Sequence, residues 1–212
     1  MQKHLFGIVG LILIGVAAAG YFSSRSVQQS VQPLPDLGNV PDFSFTERSG
    51  KPFARSELEG KVWVASFVFT CCTQACPQVT GSMAELNAEF ADQPGFRLVS
   101  FSVDPMRDTP EVLGDYAKQF GAADERWLFL TGDQDKLYQL IEKNFHLAVF
   151  QNTGKERTPG NEVTHSSRLM LVDRKGHIRG YFEGRRADDK GNPVSQLPEL
   201  KQRIRELLEE QP

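Results

Sequence analysis

Three cysteines, Cys71, Cys72 and Cys76, fall within six positions of a 212-residue chain. So few thiols, so tightly grouped, point to local chemistry rather than to a framework of disulfides. The run Cys72-Thr73-Gln74-Ala75-Cys76-Pro77 follows an apolar, β-branched stretch, Val62 to Phe69, and precedes Val79, Met83, Leu86 and Phe90 at helical spacing. The pair therefore lies where a buried strand turns into a helix, the edge on which ligands and reacting groups collect in open α/β sheets. A helix N-terminus favours a thiolate through its dipole and its unpaired N–H groups. Pro77 fits the first turn, which puts Cys76 at that terminus. Three chemistries are open to the pair: a metal site, reversible thiol–disulfide exchange and a static disulfide. Two thiolates on one metal stand about 4 Å apart, whereas a disulfide needs about 2.05 Å. Three intervening residues, rather than the two usual in redox enzymes, tilt the spacing towards metal. Cys71, adjacent to Cys72, points elsewhere and is given no primary role.

Two thiolates make an incomplete metal site, and there are four histidines to complete it. His4 precedes the apolar N-terminal run. His146 follows a helical pattern and reads as structural, and His177 follows the Lys175-Gly176 turn and reads as exposed. His165 ends a long polar loop, Gln151 to Thr164, where an apolar strand begins. If that strand is antiparallel, its start lies on the cysteine edge of the sheet, so His165 can approach Cys72 and Cys76. Asp104 ends a second strand on the same edge and is an auxiliary candidate. Asp108 reads more simply as a helix-start acid. Met83 and Met170 fall on core faces, and Met106 lies in an exposed loop near the site.

The elements that must hold these groups alternate. Phe43 and Phe45 pair with Lys51 to Phe53 across Ser49-Gly50 as a hairpin. Strands over Val62–Phe69, Phe96–Val103 and Trp127–Leu130 are separated by a helix over Pro77–Ala91 and by one capped at Thr109 with Pro110 in its first turn. Val112, Leu113, Tyr116 and Phe120 are expected on the buried face of that second helix. Asp133 starts a further helix carrying Leu137, Leu140, Ile141 and Phe145. Arg168–Asp173 and His177–Phe182 form a hairpin around Arg174-Lys175-Gly176, and Ser195 opens a last amphipathic helix. This order predicts an α/β fold, a thioredoxin-like domain with an N-terminal hairpin and an inserted helix.

Residues 1–22 read as a membrane anchor, with a cleaved signal peptide as the alternative. Lys3 precedes an uncharged apolar run, Leu5 to Phe22, near the lower limit for a spanning helix and longer than a usual signal-peptide core. The leading positive charge keeps the N-terminus inside and sends the rest across. Residues 23–40, rich in Ser, Gln and Pro, read as a flexible tether, and 41–212 as the folded domain. The expected location is a single-pass anchor in the inner membrane, with the domain in the periplasm or an equivalent extracytoplasmic space. A net charge of −3 with no basic stripe excludes nucleic acid as a partner.

Phe69-Thr70-Cys71-Cys72 through Cys76-Pro77 resembles the FTxCxxxCP motif of the SCO/SenC family of copper proteins. Ser102-Val103-Asp104-Pro105-Met106-Arg107-Asp108-Thr109-Pro110 is similar to the family's SVDPxRDTP segment, and Thr164-His165-Ser166 with Leu171-Val172-Asp173 to its histidine segment. The likeness covers about residues 41–210. It implies Cys72, Cys76 and His165 as ligands to one copper ion, Cu(I) or Cu(II). It implies delivery of copper to the dinuclear copper site of cytochrome c oxidase, or protection of that site's cysteines in the reduced state. The partners it implies are the copper-accepting oxidase subunit and other copper carriers or thiol reductants. Thr73 and Arg174 stand where the family often has Pro, and Thr164 where it often has Asp beside the ligand histidine. The alternative function is a thiol–disulfide oxidoreductase using Cys72 and Cys76 as a redox-active pair without obligatory metal.

Overall fold

A computed structural model of the chain describes residues 34–210, apart from 74, 189 and 193. The expected anchor and most of the expected tether lie outside these residues. Among the described residues no helix is long and apolar enough to cross a membrane.

In chain order the strands are β1 (Ser44–Glu47), β2 (Pro52–Ala54), β3 (Val62–Val68), β4 (Phe96–Ser102), β5 (Trp127–Thr131), β6 (Val149–Gln151), β7 (Val163–His165), β8 (Arg168–Val172) and β9 (Ile178–Glu183). The α-helices are α1 (Cys76–Glu89), α2 (Pro110–Gln119), α3 (Gln134–Gln139), which runs into a π-helical turn over Leu140–Asn144, and α4 (Leu197–Glu209). Seven strands form one sheet in the order β2-β1-β5-β4-β3-β8-β9. β3, β4 and β5 are parallel at its centre, and β1 and β8 flank them antiparallel. β6 and β7 form a separate two-stranded sheet.

Both faces of the central strands are covered, which is why β3 is buried at every position. Alternate residues divide between two cores. Val62, Val64 and Leu98 face α1, α2 and α4 through Val79, Met83, Leu113, Leu200 and Ile204. Trp63, Phe67, Phe69 and Phe101 face the other way, towards Leu137, Phe145, Val149 and Val163. There the rings of Phe67, Phe101 and Phe145 lie 5.8–6.1 Å apart, a spacing at which each pair adds to the area it buries. The parallel register places Ser66 opposite Ser100. Their hydroxyls lie 2.8 Å apart, and Trp127 Nε1–H donates to Ser100 Oγ at 2.9 Å, so three buried polar groups satisfy one another.

Helix starts follow local chemistry. Thr109 Oγ1 accepts from the Val112 N–H with Pro110 in the first turn, and Asp133 accepts from the Lys136 N–H. Two expectations are corrected. Val112 is 39% exposed and Ala117 takes its place against the core, since in α2 the buried stripe follows Leu113, Tyr116 and Ala117. The segment from Gln151 to Thr164 is not a simple polar loop: Val149 pairs with His165 and Gln151 with Val163. Backbone pairing also begins N-terminal of Pro41, with the Leu37 N–H donating to Ile178 O and Val40 fully buried.

Candidate metal centre

The chain leaves β3 at Val68, and the Cys72 N–H donates to Phe69 O at 3.1 Å, closing a turn. This turn brings Cys72 back over the start of α1, whose first residue is Cys76, with Pro77 in the first turn. The three cysteines differ in access: Cys71 is exposed, Cys72 half-buried and Cys76 buried, with no disulfide among them. Cys76 packs in the core that holds Phe69 and Val163, and Cys72 lies against the same core. The Cys72 side chain lies beside Cys76 and interacts with its thiol. That neighbouring sulfur first, and then burial, hold the Cys76 thiol far above the usual thiol range.

His165 is the last residue of β7, and its Nε2 lies 3.2 Å from Cys76 Sγ. Its Nδ1 lies 3.0 Å from Ser166 O. A carbonyl only accepts, so Nδ1 carries the proton and Nε2 presents its lone pair to Cys76. The imidazole also meets the ring of Phe69 edge to face, with centroids 5.9 Å apart. A histidine whose second nitrogen is fixed by a carbonyl has the form usual for a metal ligand.

The donor chemistry suits a soft ion. Cys72, Cys76 and His165 form a continuous chain of contacts, two sulfurs and one imidazole nitrogen. Among the described residues no three His, Cys, Asp or Glu side chains already stand in metal-holding geometry. Here the spacing is that of hydrogen-bonded partners. Two donors on one ion stand roughly 3.5–4 Å apart, so the Cys76–His165 contact would open by a few tenths of an ångström.

The two acidic residues of the loop between β4 and α2 have different partners. Asp108, not Asp104, is tied to the cysteine loop. Its Oδ1 accepts from the Thr70 N–H at 3.2 Å and the Thr70 hydroxyl at 2.7 Å, and its Oδ2 from Ser102 Oγ at 2.6 Å. Burial nevertheless pushes its carboxyl above the usual range, outweighing these hydrogen bonds. Asp104 instead faces Arg107, whose Nε lies 3.3 Å from its Oδ2. Arg107, given no role of its own from the sequence, also donates to Glu162 Oε1 at 2.8 Å and has the Cys71 side chain beside it. Met83 and Met170 are core residues, while Met106 is 80% exposed. His146 is exposed. His177 Nδ1 lies 2.7 Å from Asp36, so neither of these two histidines joins the cysteines.

Residues 34–197 match the family model described as SCO1/SenC. The SCO1 protein homolog of Bacillus subtilis (strain 168) is 32% identical over 177 residues, spanning 82% of this chain and 85% of that protein. BsSco, described as having a disulfide switch and as a member of the Sco family of cytochrome c oxidase assembly proteins, has a solved structure that aligns with a TM-score of 0.69 at 27% identity. The alignment covers 85% of this chain and 100% of that one. ScoI of Bradyrhizobium japonicum, solved with copper bound, shares the fold with a TM-score of 0.64 at 23% identity, over 80% of this chain and 99% of that one. The fold is thus the mixed α/β, thioredoxin-like fold of the Sco proteins, and the chain belongs to the SCO1/SenC family.

Proposed function

We propose that this chain is an extracytoplasmic copper carrier. In this reading Cys72, Cys76 and His165 hold one copper ion as cargo for the dinuclear copper site of cytochrome c oxidase, or the cysteine pair keeps that site's thiols reduced. The observation that carries it is the 3.2 Å approach of His165 Nε2 to Cys76 Sγ. Thiol exchange between Cys72 and Cys76 has no need of an imidazole held in its metal-binding tautomer. Thiolates favour Cu(I), and an added imidazole also accommodates Cu(II). Family membership and the oxidase-assembly role described for BsSco support the destination. The apolar run from Leu5 to Phe22 supports a membrane anchor at residues 1–22, with the domain on the far side of the inner membrane.

Copper loading and disulfide formation exclude each other on the same pair. Joining Cys72 to Cys76 removes two electrons and two protons and withdraws both thiolates. The disulfide switch described for BsSco supports such a gate. The second reading, a thiol–disulfide oxidoreductase, draws on the closeness of the two thiols, each of which influences the other. Anaerobic titration of the reduced full chain with Cu(I) and with Cu(II) separates the two. One copper per chain is expected, lost in Cys72→Ala, Cys76→Ala and His165→Ala. Undiminished binding in His165→Ala would remove the three-ligand site. Thiol reductase activity that survives His165→Ala without copper would favour the enzyme.

A further inference from the structure

We propose that Arg107 is a positioning residue for the metal site, a clamp that fixes the His165-bearing hairpin against the cysteine loop. This rests on the copper-carrier reading above. His165 is not part of the seven-stranded sheet. It ends β7 of a two-stranded hairpin, so the main ladder does not set its distance to Cys76. Arg107 joins its own loop, through Asp104 at 3.3 Å, to Glu162 at 2.8 Å, with the Cys71 side chain of the cysteine loop beside it. Glu162 lies immediately before β7, three residues from His165.

The Glu162 contact is partly exposed, with 39% of the Arg107 side chain open to solvent. The Glu162 side chain is only 12% exposed, and its second oxygen, Oε2, is buried with no hydrogen-bond partner. Truncating Arg107 would remove the charged partner that ties Glu162 to the Asp104 loop, so the segment carrying Glu162 would lose that anchor. The hairpin would move as a body, because Asn152 braces it internally. The Asn152 N–H donates to Glu162 O at 2.8 Å and its Nδ2–H to Asn161 O at 2.7 Å, while its Oδ1 accepts from the Thr164 hydroxyl at 2.8 Å. A displacement at Glu162 is therefore transmitted to Thr164 and to the ligand beside it.

The test uses the full chain in detergent with Arg107→Ala, Arg107→Lys and Glu162→Gln, each with and without His165→Ala. Partners of a ligand affect metal affinity by roughly 10- to 100-fold. Cu(I) affinity should fall within that range in Arg107→Ala and Glu162→Gln, with partial recovery in Arg107→Lys. In the His165→Ala background the same changes should have no further effect, because the clamp acts through that histidine. In the copper-free protein, amide hydrogen exchange over residues 160–165 should accelerate about tenfold in Arg107→Ala, with β3 and β4 unchanged. Equal losses with and without His165, or unchanged exchange at 160–165, would overturn the clamp. If wild-type protein binds no copper, the carrier reading fails, while the copper-free exchange still decides whether Arg107 holds the hairpin.

Discussion

Gly160 offers a direct test of how the hairpin connection lies on the cysteine loop. Its φ is +80°, and a Cβ built there would sit 2.6 Å from Thr73 Oγ1, 3.2 Å from Thr73 Cγ2 and 3.3 Å from Cys71 O. Gly160→Ala therefore carries two penalties. The left-handed backbone costs a residue with a Cβ about 1–2 kcal/mol. The overlap adds about 1–3 kcal/mol, the range for overpacking. Rotating Thr73 brings little relief, because both branches of this β-branched side chain crowd the position. Urea unfolding should show a loss of about 2–5 kcal/mol with an unchanged m-value. Thr73→Ala removes the crowding atoms but not the backbone strain. The Gly160→Ala loss should shrink towards about 1–2 kcal/mol in that background, a coupling of about 1 kcal/mol or more. Additive effects, or a Gly160→Ala loss below about 0.5 kcal/mol, would mean that this strap does not rest on the residues around Cys72.

Ser100→Ala leaves the Trp127 N–H and the Ser66 hydroxyl without their partner and should destabilise the domain by about 1–3 kcal/mol, read as a lower urea midpoint. Asp108→Asn tests the buried carboxyl through pH. Because burial raises its folded-state pKa, the native state holds its proton longer than the unfolded chain, so this group's contribution declines as pH rises above about 4 through the folded value. The stability of Asp108→Asn relative to wild type should therefore improve from pH 4 to pH 7, and a wild type that gains on the variant over that range would contradict it. Copper-loaded protein should resist formation of the Cys72–Cys76 disulfide under mild oxidant, measured by thiol alkylation and mass. Equal rates with and without copper would count against a shared site.

Much of the frame was legible locally. The strand-to-helix turn at Cys72 and Cys76 shows in the change from a continuous apolar run to residues at helical spacing, and the structure starts α1 at Cys76. Thr109-Pro110 and Asp133 show in capping chemistry, because a cap is made within three residues. The β8–β9 hairpin shows in its turn residues and apolar flanks. These signals survive because they depend on neighbours in the chain.

What failed depended on distant residues. β6 and β7 have three residues each, too few for an alternating pattern to stand out from the polar connection between them. The roles of Asp104 and Asp108 could not be separated by sequence, since both lie in one loop and only the fold turns Asp108 towards Thr70. Arg107 and Glu162 are 55 positions apart, and Cys76 and His165 are 89 apart. The sequence by itself determined an α/β chain with two thiols at a helix start, through periodicity and capping. Only the tertiary structure decided that the histidine arrives on a separate hairpin with its Nε2 facing Cys76. Around it lie the packing of the imidazole on Phe69, the Arg107–Glu162 pair and the close approach of Gly160 to Thr73, contacts that leave no periodic trace along the chain.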